Sequence, residues 1–459
     1  MRTRHDVASL TCGDASTAET GDWHPVLDTY ARGVELMRGL DAEVAPDSWI
    51  WAANTHGIPR GTTPRPAWAQ CAHASRFFLP WHRGYLAWFE GNVRRLTGDD
   101  EWGLPYWDYS DPANEPSRVL PVEFSVETRT VAGEVVPNPL FVPGRSADPL
   151  PGFDVDVVDA LSEPRYVKEV PEVGFGGADR DGFFGFVESR PHNFVHVDIG
   201  ALMQSPATAA QDPIFWLHHA NIDRLWEVWL SLEGSVRLTD PGAASTLLVT
   251  QWKSAMFWFG LEQSPTTYTM EDCEDLSSPS MQYEYESIEL PPDLAEAVAE
   301  ARGAAVPVGG GGIPLDGSQP AWKPVGATFN LDSGEERDVP FTVGPLGLDD
   351  TPPSRLVLEL AGTRATDPHS AYVVEVRSSP DAEPHVAGRF STFGLAGTPA
   401  TEERNYLVDA SAVLPDLLAE GWAGGQLTVR LVPDTERPDS EDAERSIQVR
   451  QVTVYLQTP

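Results

Sequence analysis

The chain has 459 residues with 10% aromatic content, and its formal net charge at pH 7 is −37. This length and aromatic content exclude a disordered chain and leave room for two or three domains. The negative charge argues against nucleic acid or an anionic membrane as a partner, since both would repel the protein. No apolar run in the sequence is long enough to span a bilayer.

The N-terminal residues hold two arginines but no apolar core or cleavage pattern. We therefore predict no signal peptide, and the location is cytoplasmic or undetermined. The three cysteines, Cys12, Cys71 and Cys273, are too few and too scattered for a disulfide framework. Nothing in the sequence indicates an oligomeric state.

In chain order, three helices are predicted first. Trp23–Leu40 has apolar residues three and four positions apart, Trp49–His56 is a short aromatic helix, and a third helix runs from about Pro80 to Gly98. A long irregular stretch follows at 110–177, with short strand-like runs such as Thr130–Val136.

Two more helices are predicted in the middle of the chain. Glu188–Gly200 regains helical periodicity, with Pro191 in its first turn. Gln211–Trp229 has Asp212 as a helix N-cap and Pro213 in its first turn, and its apolar residues form one broad face.

A domain boundary is predicted after these helices. Residues 287–320 lose their periodicity and contain the run Gly309–Gly312. We predict a first domain at 1–290, a flexible Gly/Pro-rich linker at 291–320 and a second domain at 321–459. Short alternating strands in the second domain favour a β-sandwich. They are predicted at Ala327–Leu331, Arg355–Leu360, Ala371–Arg377, Arg389–Phe393, Tyr406–Val408, Gln426–Leu431 and Val452–Leu456.

Most of the 11 histidines fall into two groups. The groups are His56, His73 and His82, and then His192, His196, His218 and His219. His192 and His196 are four residues apart, so their rings lie on one helix face and can bind one metal ion. The adjacent pair His218 and His219 is either hydrogen-bonded in the core or part of a metal site. Helix phase does not decide which of the two would bind metal.

The ligand chemistry narrows the choice of metal. Neither zinc-finger cysteine pairs nor an HExxH motif occurs. Coordination by imidazoles alone suits copper, zinc, iron or nickel, whereas magnesium, calcium and manganese prefer carboxylates. Three ligands from each group would fill two metal positions.

Four segments, WHRGYLAWFE, LPYWD, PHNFVH and DPIFWLHHANIDRLW in that order, resemble the signature segments of the tyrosinase family of dinuclear (type 3) copper proteins. The family comprises tyrosinases, catechol oxidases and molluscan-type haemocyanins, and the resemblance spans roughly residues 56–285. It implies an α+β fold of two domains: a mainly helical catalytic domain, whose central four-helix bundle holds two copper ions, and a C-terminal β-sandwich. The ligands implied by the family's pattern are His56, His73 and His82 for the first copper, and His192, His196 and His219 for the second.

The same resemblance gives roles to neighbouring residues. His218 would lie beside the second copper without binding it, and Asp212 would cap the ligand helix. Cys71, two residues before His73, would form a thioether link to that imidazole. The alternative is a free buried cysteine.

Further roles concern substrate. Glu188 and Asn193 would hold a water that deprotonates incoming monophenols. The alternative is that Glu188 only caps its helix or orients a ligand histidine. Met203 and Pro206 would lie at the mouth of the copper site, with Pro206 as a wall against the substrate.

The implied activity is oxidation of phenols and o-diphenols to o-quinones with O2, as by a tyrosinase or polyphenol oxidase. The expected partner is a small phenolic molecule. An o-aminophenol oxidase uses the same site, and a haemocyanin-like O2 carrier is an alternative of another class. A single unit without repeats favours an enzyme over a carrier. A di-zinc hydrolase is disfavoured because bridging carboxylates are absent.

The C-terminal segments HVAGRFSTFGLAG and RNYLVDAS are similar to the C-terminal β-sandwich of molluscan haemocyanin units and of latent fungal and plant enzymes. In those proteins one apolar side chain of that domain protrudes into the copper site. Phe393 would be that residue here, and the chain would be a latent form awaiting cleavage in the linker or a displacing agent. The alternative is an ordinary strand phenylalanine in the sandwich core.

Overall fold

The computed structural model describes residues 1–305, 322–324, 331–332, 336–339, 353–365, 371–379, 381–395, 404–422, 427–434 and 447–457. The fold mixes helices, which dominate up to residue 305, with strands, which dominate after it. The α-helices are α1 (Ala15–Thr20), α2 (Pro25–Arg38), α3 (Trp49–His56), α4 (Phe78–Thr97), α5 (Gly152–Val155), α6 (Val158–Ser162), α7 (Asn193–Ile199), α8 (Pro213–Ser231), α9 (Thr246–Ser254), α10 (Met270–Glu274), α11 (Pro292–Ala305) and α12 (Leu414–Ala419).

The strands are short in the helical part and longer in the C-terminal part. They are β1 (Arg2–Arg4), β2 (Thr128–Val131), β3 (Glu134–Pro137), β4 (Val167–Lys168), β5 (Gly177–Ala178), β6 (Met256–Leu261), β7 (Ser264–Thr269), β8 (Tyr283–Tyr285), β9 (Lys323–Pro324), β10 (Leu331–Asp332), β11 (Glu336–Val339), β12 (Arg355–Ala365), β13 (Ala371–Arg377), β14 (His385–Ser391), β15 (Arg404–Asp409), β16 (Leu427–Pro433), β17 (Ile447–Val449) and β18 (Gln451–Gln457).

The three helices predicted near the N-terminus are confirmed. α2 begins at Pro25, after His24, whose Nδ1 accepts a hydrogen bond from the N–H of Val26. α3 has its predicted bounds, and α4 ends before Gly98, which takes the left-handed conformation with a φ of 72°. Among the helices of the described ranges, none has the length and hydropathy needed to cross a bilayer.

α8 is more completely buried than its pattern predicted. Asp212 caps it, as expected, because its side chain accepts a hydrogen bond from the N–H of Ile214. The periodicity predicted one apolar face, and Asp223 and Arg224 were expected to be a buried pair that ties the helix to its surroundings; both are buried. Other elements enclose the polar side of α8 and supply partners for these charges, so α8 lies at the centre of the helical part.

A buried ion cluster joins the N-terminal strand to α4 and α8. β1 pairs in parallel with β8, which buries Arg4 beside both helices. Arg4 bonds to Glu90 at 2.7 Å on α4 and to Asp223 at 3.2 Å on α8. Asp223 also accepts from Arg83 Nε and from the Tyr285 hydroxyl, each at 2.5 Å. Although burial raises it, the two guanidinium groups hold the pKa of Asp223 below its usual value.

The segment predicted as one helix from Glu188 to Gly200 is divided. A wide π-turn covers Glu188–His192, and α7 then begins at Asn193. Arg190 has non-helical backbone angles, and Pro191 has no N–H to donate to a preceding turn. The division therefore falls at the proline that was predicted to lie in a continuous first turn.

The prediction of a flexible linker at 291–320 is wrong for its first half. α11 occupies Pro292–Ala305, with Leu294 and Val298 buried. Arg302 Nε in α11 donates to the carbonyl oxygen of Leu161 in α6 at 2.8 Å. The segment looked aperiodic because alanines separate the few larger apolar residues that pack. Gly309–Gly312 lies outside the described residues.

The C-terminal strands form two sheets. One has the order β10-β17-β12-β18-β9, with β15 also paired to β12, and the other has the order β11-β16-β13-β14. Alternate residues of both sheets enter one apolar cluster, for example Leu358 of β12 and Val374 of β13. Phe393 was predicted at the end of a strand, but β14 ends at Ser391, so Phe393 lies in the turn beyond it.

Candidate metal centre

The two histidine groups predicted from the sequence come together in space. Each group places its candidate ligand atoms within 4.8 Å of one another. The first group consists of His56, Cys71, His73 and His82, and the second of His192, His196, His218 and His219. The groups also adjoin each other, since the ring of His82 stacks on that of His219 with 4.2 Å between centroids.

Backbone carbonyls orient two imidazoles of the first group. His56 Nδ1 lies 2.8 Å from the carbonyl oxygen of Pro206, and His82 Nδ1 lies 2.8 Å from that of Phe78. A carbonyl accepts, so each Nδ1 carries the proton and each Nε2 keeps its lone pair. His56 Nε2 is buried without a hydrogen-bond partner. His82 Nε2 lies 3.3 Å from Cys71 Sγ, so both rings turn their ligand nitrogen towards the interior of the group.

The second group is arranged in the same way. His196 Nδ1 lies 2.9 Å from the carbonyl oxygen of Met203, and His192 Nδ1 lies 2.9 Å from Asn193 Oδ1. His192 Nε2 is buried without a partner. His196 Nε2 and His219 Nε2 are 3.4 Å apart. Two nitrogens about 2.0–2.1 Å from one tetrahedral metal ion would have nearly this spacing.

His218 and His219, which are adjacent in sequence, both contribute a candidate ligand nitrogen to the second group. His218 Nδ1 lies 2.6 Å from the hydroxyl of Tyr109, and its Nε2 has no partner. His219 bridges the two groups through its stacking on His82, and its Nδ1 has no partner. The contact with Tyr109 was not predicted, because nothing in the LPYWDY segment indicates which side chain it meets.

Burial keeps these imidazoles neutral. It lowers the pKa of His56 to about 4 and that of His192 to about 3, and it lowers the pKa of the other histidines of both groups as well. The neighbouring imidazoles add to the effect on His73, because a second positive charge nearby is unfavourable. Neutral imidazole is the form that binds a metal ion, so the ligands are ready at neutral pH.

Aromatic rings enclose the centre. Phe78 lies 4.6 Å from His82 and 4.7 Å from His192 between ring centroids, and Phe215 lies 4.3 Å from His219. These rings exclude water and leave the imidazole nitrogens as the main polar atoms inside. Phe215 was predicted only as part of an apolar helix face, and Phe78 was not singled out.

Phe393 of the C-terminal part lies directly over the second group. Its ring stacks on His196 with 3.9 Å between centroids and an interplanar angle of 11°. It also contacts the rings of His192 at 5.5 Å and His73 at 5.7 Å, and it is fully buried. Nearby, Ser391 Oγ donates to the carbonyl oxygen of Asn193 at 3.0 Å, which fixes the turn onto α7.

Glu188 and Asn193 each present an unpaired polar atom near the imidazoles. Glu188 Oε1 accepts a hydrogen bond from the N–H of Ala74 at 2.7 Å, whereas Oε2 is buried without a partner. Asn193 Nδ2 is likewise without a partner. Burial raises the pKa of Glu188 well above its usual value. The Glu188 side chain makes no capping hydrogen bond to its own turn; its bond goes to the backbone beside His73.

Met203 and Pro206, predicted at the mouth of the site, contribute their backbone. Their carbonyl groups are the acceptors that orient His196 and His56. Gly57 allows the second contact, because a Cβ there would lie 2.3 Å from the carbonyl oxygen of Pro206. The Pro206 ring faces the turn that carries Phe393, with its Cγ 3.9 Å from where a Cβ on Gly394 would stand.

Asp212 lies outside the cluster of imidazole nitrogens, whereas Cys71 lies within it. Asp212, besides capping α8, bonds to Arg145 Nε at 3.0 Å and stays away from the imidazole nitrogens. Cys71 Sγ lies among them, 3.5 Å from His73 Nε2 and 3.3 Å from His82 Nε2.

Sequence comparison assigns a family to this centre. The common central domain of tyrosinase matches residues 46–149 and 156–232, which carry both histidine groups. This part of the chain carries the central domain of the tyrosinase family. Among its relatives, tyrosinase HcTyr1 of Hahella sp. (strain CCB-MM4) is 28% identical, and the match covers 99% of each chain. The latent form of polyphenol oxidase from Prunus armeniaca is 28% identical over 58% of this chain and 48% of its own length.

Solved structures of the family share the fold. Latent apple tyrosinase superposes with a TM-score of 0.55 at 19% identity, covering 100% of this chain and 97% of the other. A latent aurone synthase (polyphenol oxidase) superposes with a TM-score of 0.54 at 20% identity, covering 100% of this chain and 90% of the other. Both likenesses span the helical part and the C-terminal sheets.

Proteins of the tyrosinase family have a dinuclear copper centre, and the two histidine groups of this chain fit two copper ions. The fit rests on neutral imidazoles and on buried ring nitrogens that lack partners. Nitrogen donors without bridging carboxylates are the set that copper accepts readily. The predicted cofactor is therefore confirmed.

Proposed function

We propose that this chain uses two copper ions and O2 to oxidise phenols and o-diphenols to o-quinones. The observation that supports it best is the convergence of imidazole nitrogens from distant segments: His56 Nε2 and His192 Nε2 have no partner, and His196 Nε2 and His219 Nε2 are 3.4 Å apart. The match to a tyrosinase along the whole chain supports the same activity. The proposed ligands are His56, His73 and His82 for the first copper, and His192, His196 and His219 for the second.

His219 is preferred to His218 as the third ligand of the second copper. Its ring stacks on His82 and so faces both groups, and its Nε2 stands at ligand spacing from His196. His218 is engaged by the Tyr109 hydroxyl and stacks beside His192 at 5.3 Å. We assign it the role of fixing the neighbouring imidazole.

The copper pair, when bound, supplies the exchange of electrons between O2 and the phenol. The protein's residues hold it in a dry, aromatic-walled site on helices that resist displacement. We propose that α3, α4, α7 and α8 form the four-helix bundle predicted for this purpose. The first domain then ends near residue 290, with α11 packed on it, and the second is the C-terminal sheet region.

Monophenols need a proton acceptor that o-diphenols need less. We propose that Glu188 Oε2 and Asn193 Nδ2, both unpartnered and buried, hold a water that accepts the phenol proton. Glu188→Gln keeps the acceptor for Ala74 and removes the carboxylate. We expect it to lower the rate with tyramine by about 10²–10⁴-fold and the rate with catechol far less.

A covalent link between Cys71 and His73 is a further proposal, supported by the 3.5 Å approach of Sγ to that ring. The bond between sulfur and a ring carbon forms with loss of the thiol hydrogen and the ring hydrogen, and the O2 of the proposed activity accepts the two electrons and two protons. Peptide mass spectrometry of the copper-treated chain should show that loss of mass, and an unchanged mass would refute the link.

The chain is proposed to be latent because Phe393 covers the site. The ring occupies the face of His196 where a phenol would have to enter. Phe393→Ala should raise catechol oxidation by the full chain several-fold at equal copper content, whereas Phe390→Ala, in the same strand region but inside the sheet cluster, should not.

The whole proposal is tested by O2 uptake and quinone absorbance with catechol. Copper-loaded Phe393→Ala protein should consume O2 and form quinone, and zinc-loaded protein should not. Equal turnover with zinc, or none with copper, would refute a copper phenol oxidase.

A further inference from the structure

His73 differs from the other proposed ligands because it lies outside the helices, in the turn between α3 and α4. Carbonyl groups hold His56 and His82 through Nδ1, but within the described part of the chain nothing accepts a hydrogen bond from His73 Nδ1. The position of its ring therefore depends on how the adjacent backbone is held.

The adjacent residue, Ala74, is held on three sides. Its φ of 49° is left-handed, a conformation that costs energy for a residue with a Cβ. Its N–H donates to Glu188 Oε1 at 2.7 Å, and its carbonyl oxygen accepts from the N–H of Gly182 at 2.8 Å. Its side chain is fully buried and belongs to the apolar cluster of the C-terminal sheets.

Gly182 continues this connection into the C-terminal sheets. Its carbonyl oxygen accepts from the N–H of Asn405 in β15 at 2.9 Å. Asn405 Oδ1 in turn accepts from the N–H of Gly362 in β12 at 2.9 Å. Two residues after Gly182, the ring of Phe184 packs 5.1 Å from that of Tyr406 in the same cluster. A continuous set of contacts thus leads from β12 to the residue beside His73.

We propose that the C-terminal sheets are a structural part of the first copper site, and that they hold His73 in place through Ala74 and residues 182–184. This inference rests on the proposed ligand set. The proposed support of His73 is a different contact from the stacking of the Phe393 ring on His196. The connection does not include the orienting acceptors of the second group, Asn193 Oδ1 and the Met203 carbonyl, which both lie in the helical part. Weakening the connection should loosen one copper ion of the two.

The test removes both hydrogen bonds that Asn405 makes in the connection, because proline has neither its N–H nor its side-chain amide oxygen. Asn405→Pro deletes the N–H that donates to Gly182, at the edge of β15 away from β12, where a sheet tolerates proline. The copper-loaded full chain is challenged with a copper chelator, and copper loss is followed over time. We expect one ion per chain to leave about fivefold faster than in the wild type, and the other at an unchanged rate. After oxidation, the remaining lone Cu(II) should give an electron paramagnetic resonance signal.

Leu407→Pro is the matched control. Leu407 is two residues along β15, so its N–H faces the same edge, but it donates to no carbonyl of residues 182–184. Its copper loss should equal that of the wild type, and faster loss there would overturn the proposal by showing a general disturbance of the sheet.

A second variant distinguishes the proposed effect from a general folding defect. Ala74→Gly accepts the left-handed backbone without strain and removes only the methyl group from the sheet cluster. It should lose the same single ion faster while its circular dichroism is unchanged. If Asn405→Pro and Ala74→Gly both keep two ions as firmly as the wild type, or lose both ions together, the inference is wrong. Fewer than two ions in the wild type would instead refute the proposed function.

Discussion

The two histidine groups offer the same nitrogen ligands but hold them differently. In the second group, His192, His196 and His219 all lie on helical backbone and are fully buried. The first group combines His56 and His82, on two helices, with His73 on a turn that is only half-buried. Helices resist displacement because each residue is fixed by backbone bonds, whereas a turn depends on what packs around it. The comparison indicates that disturbances elsewhere in the chain will reach the first copper before the second.

Removing one ligand from either group should have the largest effect on activity. His196→Ala and His73→Ala should each lower catechol oxidation by more than about 100-fold, because the reaction needs both ions. Each variant should keep the copper of the other group. Measured copper content and O2 uptake check this, with His385→Ala, whose ring pairs with Glu420 far from the centre, as the control. Undiminished oxidation by either ligand variant would contradict the ligand assignment.

The buried ion cluster should support both groups equally, since α4 carries His82 and α8 carries His219. Asp223→Asn leaves Arg4 and Arg83 buried without their shared carboxylate. We expect the free energy of unfolding to fall by about 3–5 kcal/mol, measured by urea denaturation. Arg95→Ala, which breaks an exposed pair with Asp47, should cost less than about 1 kcal/mol. Equal effects of the two changes would show that the cluster is not decisive.

Acid should lower the free energy of unfolding of the copper-free protein through histidines of both groups. Burial lowers the pKa of His56 to about 4 and that of His192 to about 3, below the value of about 6.5 in an unfolded chain. As the pH falls below about 6.5, these histidines bind protons in the unfolded chain but not in the folded chain, so the free energy of unfolding falls. Between pH 7 and pH 5 the loss should be about 2 kcal/mol for each such histidine. Denaturation of the apo-protein at both pH values checks this, and stability that rises towards pH 5 would contradict it.

The smallest expected effect concerns Gly57, beside His56 of the first group. In Gly57→Ala the new Cβ would meet the Pro206 carbonyl oxygen at 2.3 Å, so that the acceptor of His56 must move. We expect a loss of about 1–3 kcal/mol in the free energy of unfolding and weaker retention of the first copper alone. Gly303→Ala, in α11 with nothing within 4 Å, is the control and should not destabilise the protein. Equal weakening of both coppers by Gly57→Ala would contradict the separation of the groups.

The parts of the fold that were predicted correctly depend on local pattern. α2 and α4 were found because their apolar residues recur at helical spacing and Gly98 ends the second of them. The histidine groups were found because their members lie close in sequence. α11 was missed since, among its described side chains, only Leu294 and Val298 pack deeply, and the break at Pro191 was missed because periodicity continues across it.

The parts that were not predicted depend on contacts between distant segments. Arg4 meets Asp223 across 219 positions of sequence, and nothing in the N-terminal residues indicates that its charge is buried. The carbonyl groups of Met203 and Pro206 orient imidazoles, a role that no side chain reveals. Ala74 was not singled out either, because its left-handed backbone and its place in the C-terminal cluster appear only in three dimensions.

We propose that imidazoles from the two groups hold two copper ions side by side. The most direct test is metal analysis of the purified full chain after copper reconstitution and removal of loosely bound metal. Two copper ions per chain, falling to one in His196→Ala and to one in His73→Ala, is the predicted result. A single ion in the unaltered chain, or two ions retained in either variant, would contradict it.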